Sequence, residues 1–410
     1  MRLVSRIVRL FFLVQCVGCA ASREDAARDP GADRASRAFT LRADDNYCIR
    51  THAVLRGGDG SLTCLVRASA KSDEAHAGPV RSKVLGWRIA PVADVPEELP
   101  PLYCGNGTGS LSAVLVGDHL CVSVEQRGRI EIWALEHGTD SWQLLHSTRG
   151  PRFFTSPRLV GSDDSRLALF AFDLAEFPGS VVEEFMLEKD HLPGLILSGI
   201  RETYLTEVYL TDGAYDSSRV LWLAGIRMRW ASTQALVRVF SLAPDGLLLQ
   251  CTGLSISGFR TVEAGEQRTW APQLCISRNT PHFARHIEAE HAPSFFEVAC
   301  VNREKSSLDM RTLTQLADSN PPVAHDISPH SLGGVTLTWM DLTADGTAVI
   351  INAVTFDEEL VEVRRRSMRF GYQDKTHGVS VGSSRHFEVL DGWAVICDPD
   401  RMVVYAIPRE

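Results

Sequence analysis

From Phe39 onward the chain alternates apolar and polar residues in short runs, broken by Gly, Asp, Asn and Pro. Alternation of period two sends successive side chains to opposite faces of a strand, so it marks half-buried β-structure. Long stretches with helical period are nearly absent. Many short strands with regular turn signals predict an all-β sandwich, barrel or propeller. The length of the alternating region exceeds one simple sandwich, which directs attention to an internal repeat.

A repeat is present. Its unit is an apolar strand, a polar turn and a second strand that often carries an aromatic. His119–Leu135, HLCVSVEQRGRIEIWAL, and Gly392–Ile407, GWAVICDPDRMVVYAI, align well. Ser61–Ile89, Ser165–Leu187 and Arg219–Leu242 have the same shape, and Phe295–Leu313 and Thr347–Phe370 are weaker copies. Their spacing is roughly 50 residues, near the period of about 40–50 typical of propeller blades. The expected fold is a closed β-propeller of seven four-stranded blades over residues 39–410, each hairpin supplying the two middle strands of a blade. Gly109–Val116 and Gly334–Leu342 are expected as first strands near the axis. Part of the strand-like segment 39–55 is expected to complete the last blade, leaving no open edge. A pair of β-sandwiches is the other architecture the pattern accommodates, and six or eight blades are alternatives within the propeller reading.

Three turns add a family resemblance. Ser156–Leu169, SPRLVGSDDSRLAL, Asp341–Ile351, DLTADGTAVII, and more loosely Ala243–Leu249, APDGLLL, resemble the strand turns of TolB-like and WD-type propellers. Asp-Gly suits such turns because Gly adopts positive φ at little cost and Asp bonds the local backbone. The resemblance covers 39–410 in architecture but only these segments in sequence, and no Trp-Asp dipeptide closes the blades.

The N-terminus carries a different signal. Arg2, Arg6 and Arg9 precede a short apolar run, Leu10–Val17, that ends in Gly18-Cys19. A basic start, an apolar centre and a small residue before the cut make an export signal. The run is too short to span a hydrocarbon core of roughly 30 Å. It resembles a bacterial lipoprotein signal, which implies cleavage after residue 18 and acylation of Cys19. Cys16 is the competing position, but Gln15 before it fits poorly. Residues 19–38 are then the lipidated cysteine and a flexible tether, since 20–38 contain no large apolar residue to offset their ordering entropy.

Composition narrows the function classes. The net charge of −9 provides no electrostatic footprint for nucleic acid, and Arg364-Arg365-Arg366 reads as the solvated face of a strand. Cys48, Cys64, Cys104, Cys121, Cys251, Cys275, Cys300 and Cys397 form no CxxC pair. Burial as small hydrophobes and oxidation to disulfides are both compatible with an exported chain. The one cluster with metal-like spacing is PHFARHIEAEHAP, residues 281–293. On a helical turn His282, His286 and Glu290 would share a side, with His291 adjacent. The flanking prolines favour an exposed polar loop, so His282, His286 and His291 are only weak metal candidates, and no cofactor is expected. The adjacent carboxylates Asp163-Asp164, Glu183-Glu184 and Glu358-Glu359 point to opposite faces of a strand and make no acid/base pair. Trp87, Trp133, Trp222, Trp230 and Trp339 lie in strand-like runs suited to packing between blades or to lining a ligand face. No catalytic residue is assigned.

The expectation is a lipoprotein of the bacterial cell envelope, facing the periplasm or the cell surface. Its propeller would serve as a scaffold for another envelope protein, with the membrane reached through its lipid. The analogy is to the propeller lipoprotein that helps insert outer-membrane β-barrels. The alternative is an exported enzyme or a solute- or glycan-binding protein that uses the axial pocket.

Overall fold

The computed structural model describes residues 37–407 except 45, 71–81, 93, 106–108, 127–128, 149–153, 174–178, 190–194, 229–234, 243–266, 270–271, 290–291, 303–306, 315–321, 331–332, 344–347, 372–385 and 391. Every regular element among the described residues is a β-strand, and no helix there is long and apolar enough to cross a membrane. The signal and Cys19 lie outside the described residues.

After β1 (Ala38–Arg42) the chain lays down seven sheets in order. The first holds β2 (Tyr47–Arg56), β3 (Leu62–Ala70), β4 (Ser82–Ile89) and β5 (Glu97–Cys104). The second holds β6 (Leu111–Val116), β7 (His119–Gln126), β8 (Arg129–Glu136) and β9 (Gln143–Ser147). The third holds β10 (Phe154–Gly161), β11 (Arg166–Asp173), β12 (Gly179–Lys189) and β13 (Leu195–Thr206). The fourth has β14 (Val208–Tyr215), β15 (Leu221–Met228) and β16 (Ala235–Leu242). The fifth has β17 (Gln267–Thr269), β18 (Gln273–Ser277), β19 (Thr280–Ala289), β20 (Ala292–Asn302) and β21 (Ser307–Thr314). The sixth has β22 (Ala324–Pro329), β23 (Val335–Leu342), β24 (Ala348–Phe356) and β25 (Glu362–Gly371). The seventh has β26 (His386–Leu390), β27 (Trp393–Cys397) and β28 (Arg401–Ala406), with β1 added antiparallel to the outer side of β28. The early strand thus covers the edge of the last sheet, as expected.

The expected seven four-stranded blades are corrected to six, which with one three-stranded sheet make the ring of seven sheets. Six sheets have at least four strands, and the fourth has three among the described residues. Beyond β16 the sequence loses its even alternation, and no further strand is described before β17. The fifth sheet divides its innermost position between β17 and β18, both of which pair with β19.

The innermost strands β2, β6, β10, β14, β18, β22 and β26 pack in succession. The ring closes where β2 meets the seventh sheet: Ile49 N donates to Pro399 O in the β27–β28 turn at 2.6 Å, and His52 pairs with Glu388 of β26. This is the propeller arrangement. A separate apolar cluster fills each junction. Leu65, Leu102, Leu111 and Val122 lie between the first and second sheets, and Ile130, Ile132, Leu167 and Leu169 between the second and third. Trp87, Trp393, Cys64 and Cys397 lie between the seventh and first. Each fully buried aliphatic contributes roughly 1.5–3 kcal/mol by removal from water, so stability is spread around the ring.

Polar side chains tie neighbouring sheets where apolar packing leaves backbone groups open. Ser112 Oγ accepts from Leu159 N at 3.0 Å. Ser180 Oγ donates to Val208 O at 2.9 Å and accepts from Leu210 N at 3.0 Å. Asp212 Oδ2 accepts from Leu274 N at 2.7 Å. Ser277 Oγ lies 2.8 Å from both Gly333 O and Gly334 O. Buried backbone groups need such partners, and each of these spans two sheets.

Five of the seven expected hairpins occupy the second and third positions from the axis: β3–β4, β7–β8, β11–β12, β15–β16 and β27–β28. In the fifth and sixth sheets the expected hairpins are the third and fourth strands, β20–β21 and β24–β25. Of the two expected axial strands, β6 is axial, whereas Val335–Leu342 is second in its sheet and β22 takes the axial place. The sequence of β22, AHDISP, buries one large apolar residue, Ile327, and so lacks the alternation that reveals other strands.

Candidate functional site

An exposed side chain on an axial strand faces the central channel or the ends of the ring. These strands carry Arg50 and His52 on β2, Arg158 on β10, Asp212 on β14, His325 and Asp326 on β22, and Glu388 on β26. Arg50 and Arg158 are exposed. β2, β10 and β14 each contain a register shift, at Ile49/Thr51, Thr155/Arg158 and Leu210/Asp212. Such bulges re-aim side chains and gather near functional sites.

The best-defined constellation crosses the ring seam. His52 Nε2 stands 3.0 Å from Glu388 Oε2. Burial alone would lower the His52 pKa, but hydrogen bonds to Cys397 and Glu388 and the Glu388 charge outweigh it, pushing the value up to about 10. The imidazole is therefore cationic at neutral pH. Cys397 and Cys64 lie behind it in the seam core, both fully buried. The Glu388 side chain is 34% exposed. The seam thus presents a partly open carboxylate held by a buried imidazolium, a pair that can accept and donate hydrogen bonds to a polar ligand.

A second polar group lies across the ring. Asp212 accepts from Gly213 N at 2.9 Å as well as from Leu274 N, and burial raises its pKa to about 6 despite these bonds and the nearby Arg158 charge. His325, half-buried beside Phe296, has its pKa pushed down to about 4 by desolvation and is neutral. A narrow gap between the second and third sheets is lined by Ile130, Thr148, Leu169, Ala171, Val181 and Glu183. It is mostly apolar, and Glu183 there faces His146 Nε2 at 3.5 Å.

The expected loop at 281–293 is corrected. His282 and His286 lie on β19, which is buried on both faces. His282 Nδ1 is 2.9 Å from Thr280 O, and burial lowers its pKa. His286 packs on Phe296 with ring centroids 5.0 Å apart. Between them Arg285 is fully buried and paired with Glu297, directly opposite on β20, through Nε at 2.7 Å and Nη2 at 2.5 Å. This pairing lets a polar sequence occupy a buried strand. His291 lies outside the described residues. Among the described residues no group of three His, Cys, Asp or Glu is placed to hold a metal.

The paired carboxylates divide as strand geometry requires. Glu183 faces His146 on the second sheet, while Glu184 binds Arg201 and accepts from Tyr215 OH at 2.9 Å. Asp164 sits in the β10–β11 turn and takes Arg219 Nε at 2.7 Å, and Glu358 in the β24–β25 turn pairs with Arg278. Arg364 and Arg365 are exposed on the edge strand β25, with Arg365 paired to Glu362 at 2.8 Å. Trp87, Trp222 and Trp339 are buried between sheets, and Trp133 is half-buried against the core between the first and second sheets; Trp230 is outside the described residues. Cys64, Cys104, Cys121, Cys275, Cys300 and Cys397 are buried free thiols, Cys48 is half-buried and free, and Cys251 is outside the described residues.

No family model matches the chain. No curated protein matches it either. Among solved structures it is similar to the polysaccharide lyase Uly1, with TM-score 0.52 and 7% identity over 87% of this chain and 90% of that one. Lesser likenesses are Sqt1 of Saccharomyces cerevisiae, TM-score 0.46 at 9% identity over 88% of this chain and 83% of that one, and an oligogalacturonate lyase in complex with manganese, TM-score 0.43 at 9% identity over 91% and 98%. At such identities the likeness shows the fold alone.

Proposed function

We propose that the chain is an exported propeller, anchored by a lipid at Cys19, that binds a polar ligand of the saccharide class at the axial end of its ring. The observation that carries this reading is the set of ionisable groups on the axial strands, above all the cationic His52 beside the partly open Glu388. Both signs of charge are present, with Arg50, His52 and Arg158 against Glu388, Asp212 and Asp326. Mixed donors and acceptors at the mouth of a rigid ring suit hydroxyl-rich ligands better than polyanions. Binding is the proposed activity, with the cationic His52 positioning Glu388.

The test is binding of the full chain, in non-ionic detergent, to an immobilised panel of neutral and acidic oligosaccharides. Parent binding that falls at least tenfold in Arg158→Ala and Glu388→Gln, with unchanged circular dichroism, supports the reading. Absence of saturable binding to the whole panel, or binding indifferent to both substitutions, overturns it.

A second reading, a scaffold for another envelope protein, draws on the outer rim. There Leu144 on β9 and Ile196, Ile200 and Tyr204 on the edge strand β13 expose apolar side chains. Edge strands of this kind invite partners. Crosslinking from these positions to a protein that still binds after Glu388→Gln would favour that reading over the axial one.

A further inference from the structure

The outer rim of the sixth sheet gathers positive charge in a chain whose net charge is −9. β25, EVRRRSMRFG, carries four arginines in ten residues. It is the outermost strand of its sheet, with no strand on its far side among the described residues. Its one acid, Glu362, is taken by Arg365, whose Nε and Nη2 donate to it at 2.9 and 2.8 Å. Arg364, Arg365 and Arg369 are exposed, and Arg366 is half-buried. The register spreads these cations over both faces of the strand. Arg365 lies opposite Val354, in the core between the fifth and sixth sheets, whereas Arg364 and Arg366 share the face of Met368, which packs on the core between the sixth and seventh.

The neighbouring sheets add to the charge. The Arg365 bond holds the Glu362 carboxyl below its ordinary pKa, and the Arg311 charge on β21 of the fifth sheet adds to that effect. Arg311 is exposed. On the seventh sheet, Arg42 of β1 is exposed on the face turned to the sixth: Ala38 and Thr40 of that face lie opposite Tyr405 and Val403 of the shared core. At the near turn Asp357 accepts from Glu359 N and Val361 N, Glu358 pairs with Arg278, and Glu359 is exposed. Val361 and Val363 stand 52% and 58% exposed beside the arginines.

A guanidinium fork matches phosphate oxygens, and exposed apolar side chains beside cations suit the boundary between headgroups and acyl chains. Charge spread along a rim and over both faces of its strand fits an extended anionic surface better than a small ligand. The chain also enters at this rim. β1 is the outer strand of the adjacent sheet, and the stretch from Cys19 to Ala38 reaches at most about 65 Å when fully extended. An acyl chain on Cys19 would therefore hold β1 and β25 within reach of the membrane. We propose that β25, with Arg42 and Arg311, docks on anionic phospholipid headgroups and sets the ring edge-on to the membrane. The orientation rests on the anchor at Cys19; the charge on the rim does not, and neither depends on saccharide binding.

The experiment floats the full chain carrying Cys19→Ser with vesicles of phosphatidylcholine alone or mixed with phosphatidylglycerol. No acyl chain then contributes, so failure of the anchor and failure of the rim are distinguishable. The expected result is capture by the phosphatidylglycerol vesicles that falls with added salt. Each arginine near an anionic surface contributes about fivefold in partitioning, so Arg364→Gln, Arg366→Gln and Arg369→Gln together should cut capture at least tenfold, with the melting temperature unchanged. Arg50→Gln, Arg129→Gln and Arg158→Gln together lower the net charge equally but lie off this rim, and should not. Equal capture by both vesicles, or equal loss in the two triple variants, overturns the proposal. Should the basic N-terminal segment saturate capture, hydrogen exchange of the β25 amides decides. Exchange slowed by phosphatidylglycerol vesicles supports the rim, and exchange unchanged overturns it. Slowing by soluble polyglutamate but not by vesicles assigns the rim to an acidic polypeptide and overturns the lipid proposal.

Discussion

Glu388→Gln should flatten the alkaline decline in stability that the seam pair imposes. The folded pKa of His52 is raised from 6.5 to about 10. For a group raised on folding, the stabilisation is complete below the unfolded value and disappears as pH rises through the folded value. The relevant window therefore runs from about 6.5 to about 10. At 1.36 kcal/mol per unit, the full shift would correspond to roughly 5 kcal/mol. Solvent screening at the 34% exposed Glu388, and the share held by the Cys397 contact, reduce the part lost with this carboxylate to about 1–2 kcal/mol. The titratable groups facing the imidazole are Glu388 on β26 and Cys397 on β27, with Cys64 on β3 behind them. Urea unfolding at pH 6, 8 and 10 gives the parent's stability slope, and subtracting the Glu388→Gln slope removes tyrosines, lysines and other thiols common to both. The parent should lose more stability than the variant between pH 6 and 10, and the two should converge at pH 10. Parallel slopes, or a parent whose stability rises with pH relative to the variant, would refute the reasoning.

Glu297→Gln should destabilise the protein by about 3 kcal/mol or more, read by urea midpoint, because it leaves the Arg285 cation buried without its counter-charge; Arg285→Met with Glu297→Leu should recover much of that loss. His286→Ala should cost about 1–3 kcal/mol in the same assay, since it opens a void against Phe296 in a closed core, whereas an exposed loop residue would cost within about 0.5 kcal/mol. Cys19→Ser should abolish incorporation of labelled fatty acid and release the chain from membranes; labelling lost instead in Cys16→Ser would move the acylation site.

The architecture was legible where both faces of a strand follow the simple pattern. β7–β8 and β27–β28 read alike because each alternates large apolar residues that fill two junctions, as Cys121 and Val122 do on opposite faces of β7. The covering of the last sheet by β1 was legible too, since Phe39 and Leu41 are spaced to enter one core. β19 was illegible for a definite reason. A lone sequence shows Arg285, His282 and His286 as polar and cannot show Glu297 standing opposite. β22 failed differently: an axial strand is short and partly faces the channel, so it buries few apolar residues. The same cause hid the candidate site. His52 and Glu388 are 336 positions apart in sequence, and only closure of the ring brings them to 3.0 Å.

That closure ties fold and function at one place. Six junctions of the ring join sheets adjacent in sequence, so their contacts form as the chain advances, but the seventh must join the two ends of the chain. Loop closure over that distance carries the largest entropic cost in the ring, and the seam compensates with several kinds of contact. β1 pairs with β28, Trp87 and Trp393 pack into the same core, and Ile49 N bonds Pro399 O. The His52–Glu388 pair belongs to this set and leaves the Glu388 side chain 34% exposed. A ligand that bonds Glu388 would therefore act on the junction that closes the ring, and binding N but not U would stabilise the whole propeller by linkage. Stability gained from an axial ligand should consequently shrink in Glu388→Gln.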